Sequence, residues 1–106
     1  MGYNPTAPEV AISLDRERHL RFDFNAVRYF EKETGKNLMA SGVLTNLSGT
    51  DMVVLLWACL RHEDKDLTID DVGGMVHFGN IGLVSGALAE MYAANVPKPE
   101  AGARPQ

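Results

Sequence analysis

The stretch that decides the fold runs Val10-Ala11-Ile12-Ser13-Leu14, then Asp15-Arg16-Glu17-Arg18, then His19-Leu20-Arg21-Phe22-Asp23-Phe24. Val10, Ile12 and Leu14 alternate with small or polar residues, and Leu20, Phe22 and Phe24 repeat the pattern after the charged break. Period-two alternation puts each set on one face of a strand. Two such strands around a charged turn predict a β-hairpin with one apolar face. A lone two-stranded hairpin is marginal in water, so that face needs a cover.

Beyond Phe24 the period changes, and helices supply the cover. Asp23 is placed to cap a helix over about 24–34, with Phe24, Ala26, Val27 and Phe30 inward and Arg28, Glu31 and Lys32 outward. Gly35 is a natural left-handed stop. Residues 37–43 have room for one more short helical turn. Ser48-x-x-Asp51 is a capping-box start for a helix over about 49–62. Its residues form two adjacent apolar stripes, Met52-Leu55-Leu56-Cys59 and Val53-Trp57-Leu60, and only Asp51 and Arg61 mark a polar side. A helix apolar around most of its circumference is central in a fold or covered by a partner. Thr68-x-x-Asp71 caps a third helix over 69–78, with Ile69, Val72, Met75 and Val76 inward, although Gly73-Gly74 weakens it by about 1 kcal/mol per glycine. Gly79-Asn80 breaks it. A last helix over 81–94 turns Ile81, Val84, Leu88, Met91 and Tyr92 to one face. The expected architecture is α+β, an N-terminal β-hairpin followed by about four helices in a small single domain. That domain spans 9–94, with a flexible arm at 1–8 and a tail without fixed structure at 95–106.

At 106 residues the chain fits one domain. A net charge of −4 argues against nucleic acid, which selects a basic stripe. The one basic cluster, Arg16, Arg18 and Arg21, is broken by Glu17 and followed by Asp23, and reads as a solvated hairpin tip. The longest apolar run, Met52 to Leu60, is too short to cross a bilayer. The N-terminus, with Pro5 and no apolar core, predicts no secretory leader. Cys59 is the only cysteine and sits in an apolar run, which fits a reducing compartment.

Catalytic and metal chemistry find little support. His19, His62 and His77 lack metal-ligand spacing to one another or to Cys59. Asp64-x-Asp66-x-Thr68 opens like a calcium loop, but Ile69 and Met75 stand where the loop needs Gly and a bidentate Glu. No phosphate-binding glycine loop and no nucleophile elbow occurs. The expectation is a non-enzymatic domain without metal or cofactor that works by binding another protein. Gly82-x-x-x-Gly86, continued by Ala89 and Ala93, makes a strip without side-chain bulk on the last helix. It suits either packing on the helix at 49–62 within one chain or contact between copies. Met52, Val53, Trp57, Gly82, Gly86 and Met91 are the candidate partner-binding residues, with core packing the competing role for the Trp57 stripe and the methionines.

Several segments together resemble a known family. Phe22-Asp23-Phe24-Asn25-Ala26 precedes Glu31-Lys32-Glu33-Thr34-Gly35-Lys36-Asn37. Leu55-Leu56-Trp57-Ala58-Cys59-Leu60 with His62-Glu63-Asp64 precedes Leu67-Thr68. Over about residues 9–92 the chain resembles the tail assembly chaperones of long-tailed bacteriophages and prophages. The resemblance implies a non-enzymatic protein of the host bacterial cytoplasm that coats the tape measure protein, keeps it soluble and leaves before the virion is complete. It also implies that a longer frameshifted form can extend the segment after Val96. A different structural role, as a small head–tail or tail-tube-associated virion protein, stays open. Gly73-Gly74 departs from the continuous helix that the resemblance implies there.

Overall fold

The computed structural model describes residues 8–38 and 47–95. The arm at 1–7, the tail after Asn95 and most of the short turn expected at 37–43 lie outside the described residues. Strands β1 (Glu9–Ser13) and β2 (Glu17–Arg21) pair antiparallel, with Val10 opposite Leu20 and Ile12 opposite Arg18. Helices α1 (Phe24–Thr34), α2 (Gly49–Leu60), α3 (Ile69–Gly73) and α4 (Ile81–Asn95) come after them. The expected hairpin-then-helices α+β architecture is the one observed.

The apolar face of the hairpin carries Val10, Ile12 and Leu20, all buried. Helix α2 covers β2 and α4 covers β1, while α1 and α3 both pack on α2. Every residue of α2 from Val54 to Leu60 is buried, as expected of a helix at the centre of a fold. Phe30, Leu55, Leu56, Leu60, Val72 and Val84 complete the interior. Among the described residues, no helix is long and apolar enough to cross a membrane.

Local chemistry sets the helix ends. The Asp23 carboxylate accepts from Ala26 N at 3.0 Å, and Gly35, at φ 73°, donates its N–H to Glu31 O at 2.8 Å and closes α1. Ser48 and Asp51 cap each other's backbone at the start of α2, and Thr68 with Asp71 does the same for α3.

Four expectations need correction. Arg18 is not at a solvated tip. It stands at an even position between Ile12 and Leu20, on the inward face, and is 4% exposed. Its guanidinium meets the Asp15 carboxylate through two bonds of 2.7 and 2.8 Å, so the buried charge is paired. Phe24 is 71% exposed, because the chain turns from strand to helix at Asp23 and the strand alternation stops there. Helix α3 ends at Gly73 instead of reaching 78, because two adjacent glycines disfavour helix more than the apolar spacing of Val72, Met75 and Val76 favours it. The strip of Gly82, Gly86, Ala89 and Ala93 does not pack on α2. It faces outward, and a Cβ built on Gly82 or Gly86 meets nothing within 4 Å.

Candidate functional site

The first turn of α2 is capped by Ser48 and Asp51 and exposes Thr50. Beyond Ser48 and Asp51 it presents Gly49, Met52 and Val53 on its remaining side. The connection from α3 to α4 lies across that side. Because α3 stops at Gly73, residues 75–80 are free to form a bend, and Asn80 fixes it. The Asn80 Oδ1 accepts from His77 N at 2.7 Å, and its Nδ2 donates to Met75 O at 2.8 Å. Its backbone carbonyl accepts from Val84 N at 3.0 Å and opens α4. Gly79 N donates to the His77 ring at 3.0 Å, and a side chain at 79 would press on that ring.

The bend leaves an apolar cleft of about 200 Å³ between α2 and the 76–81 segment. Met52, Val53, Val76, Phe78 and Ile81 line it, with Gly49 at one end and His77 the only ionisable side chain. Met52, Val53, Val76 and Ile81 are half-buried. Phe78 is 99% exposed, the most exposed large hydrophobic side chain among the described residues. An exposed aromatic ring beside an apolar cleft makes this face the candidate site for contact with another molecule.

The six residues singled out from sequence part company here. Met52 and Val53 come together in the cleft. Gly82 follows Ile81 at its rim, and Gly86 lies one turn further along α4 on the outward strip. Trp57 is 6% exposed and donates its indole N–H to Leu67 O at 2.9 Å. Met91 is fully buried. Trp57 and Met91 therefore present no surface to a partner in this conformation. Sequence reasoning missed Phe78. The available signal was a large aromatic placed directly before the Gly79-Asn80 break, where neither a helix nor a strand could have buried it.

Polar contacts elsewhere tie the elements together. His19 N donates to Glu63 Oε1 at 3.2 Å, and the His19 Nδ1 lies 2.7 Å from Glu63 Oε2. The His62 Nε2 donates to His19 O at 2.7 Å. These bonds tie the end of α2 to β2. The Glu63 carboxylate beside His19 raises the affinity of that imidazole for its proton. Burial pushes Glu63 upward, but the bonds from His19 outweigh it and hold the carboxyl below its ordinary value. Among the described residues no group of three or more His, Cys, Asp or Glu side chains is placed to hold a metal ion. Compared with protein-family models, curated proteins and solved structures, the chain matches none of them.

Proposed function

We propose that this chain is a non-enzymatic tail assembly chaperone of the long-tailed phage type. It holds a hydrophobic helical stretch of the tape measure protein in the host bacterial cytoplasm and leaves before the virion is finished. The observation that carries the reading is the apolar cleft of Met52, Val53, Val76 and Ile81 with the exposed Phe78 at its edge. A cleft of this kind accepts the apolar face of an amphipathic helix, through anchors spaced three or four residues apart. The sequence resemblance of residues 9–92 supplies the identity of that helix.

Co-expression tests it. The tape measure segment encoded beside this chain should stay soluble with the wild-type protein. It should precipitate with Phe78→Ser or Met52→Asp, while circular dichroism shows both variants folded. Phe78→Ser leaves the fold intact because its ring is solvent-exposed already. A segment equally soluble without this chain ends the chaperone reading. Retention of this chain in purified particles would instead favour a small virion structural protein.

A further inference from the structure

At the far end of α2, roughly 12 Å along the helix from Val53, lies a second depression of about 440 Å³ between the start of α1 and the end of α2. Its character is opposite to that of the cleft. Arg21, Arg61, His62 and Lys65 line it, with Tyr29 on its wall and Asp23 as its only carboxylate. Asp23 is committed to capping α1. Arg21 is matched by Glu9, with Nη2 at 2.7 Å and Nε at 3.1 Å from one carboxylate oxygen.

Arg61 and Lys65 have no such match. No carboxylate among the described residues pairs with either one. The Arg61 guanidinium is held by rings instead, its Cζ 4.7 Å from the Tyr29 centroid and 5.1 Å from that of Trp57. Its Nε is buried without an acceptor. A buried donor on a cation that lacks a partner is costly, and each such group asks for an explanation. In a chain of net charge −4 a carboxylate partner was easy to supply, yet among the described residues none pairs with Arg61 or Lys65. Stacking on two aromatic rings fixes the guanidinium in place while leaving its donors uncommitted, an arrangement suited to oxyanions.

We propose that this depression is a binding site for a compact multivalent oxyanion, a phosphate or polycarboxylate group, with Arg61 and Lys65 as its charge partners. Its volume is that of a small-molecule site, larger than one inorganic ion requires. Trp57 is the chain's single tryptophan and lies directly under Arg61, so its fluorescence reports occupancy.

The test titrates the full chain with pyrophosphate and with citrate, against sodium chloride at matched ionic strength. The expected result is a saturable change in Trp57 emission with at least one of the two anions. The arm that responds identifies phosphate or carboxylate as the natural group. Arg61→Gln should weaken binding about tenfold or more, the loss of one charge-assisted partner. Because Arg61→Gln also removes ring stacking, Lys65→Gln provides the cleaner variant. Its side chain is exposed, so it should fold normally and weaken binding several-fold. Lys32→Gln, on the outer face of α1, should leave binding unchanged. The proposal is overturned if neither anion exceeds chloride, or if Lys65→Gln binds as tightly as wild type.

Discussion

Asp51 shows how much a single side chain can decide. Its place beside Arg61 on the polar side of a helix suggested a solvent-facing carboxylate, yet it is 4% exposed. It stays ionised because it is paired with an ammonium and a backbone N–H. One oxygen accepts from Lys36 Nζ and from Ser48 N, and the carboxyl is held below its ordinary value chiefly by the Lys36 ammonium. The bond joins the chain just past α1 to the first turn of α2. Asp51→Ala removes half of a capping box and leaves the Lys36 charge unpaired. Lys36 is half exposed and regains water, which limits that part of the loss. The expected cost is about 1–3 kcal/mol, read as a lower urea midpoint with an unchanged slope.

Among the elements, α4 carries the clearest test. Val84, Ala87, Leu88 and Met91 face the hairpin, while Gly82 and Gly86 face open space. Glycine inside a helix costs about 1 kcal/mol relative to alanine. Gly86→Ala should therefore stabilise the chain by about that amount in thermal unfolding. If the outward strip joins two copies, Gly86→Leu will remain folded by circular dichroism and lose the larger species in sedimentation. A wild-type protein that stays monomeric at high concentration removes that contact. The elements differ in how well the sequence announced them. Both ends of α1 were legible because Asp23 and Gly35 act within one turn, and the start of α2 because Ser48 and Asp51 form a local pair. The alternation of β1 and β2 was legible too, but the charge of Arg18 masks its inward register. The end of α3 was hidden because apolar spacing runs past Gly73, and the Asn80 side chain captures the next residues in a way that periodicity does not report. The candidate site was half legible. Met52 and Val53 carry the right spacing, whereas Phe78 sits in the bend that the Asn80 side chain makes locally with His77 and Met75, which apolar periodicity does not register.

The whole molecule couples its stability to protons from both sides. Asp15 is lowered to about 2 from 3.8 by its bonds to Arg18, and Asp51 and Glu63 are also lowered. Lowered carboxylates stabilise the fold above their unfolded values and lose that effect as the pH falls through their folded ones. Asp15 is nearly half exposed, so its share is small. His19 is raised above 6.5 by Glu63, so its contribution is complete below that value and is lost as the pH rises through the higher folded value. Stability should therefore fall in acid and decline slightly as the pH rises through the raised His19 value. Glu63→Gln should reduce the upper decline and return the His19 titration, followed by NMR, toward its ordinary value. An unchanged His19 titration in that variant would count against the pairing. Cys59 gives the molecule one further property. It is wholly buried on α2, and burial drives its thiol pKa far upward, so the native sulfur is neither reachable nor nucleophilic. Reaction with a disulfide reagent must then wait for the centre of the molecule to open. The chain thus carries an internal stopwatch. The labelling rate of one atom counts openings of the core, and any partner or anion that holds the fold shut will slow it in proportion to how tightly it binds.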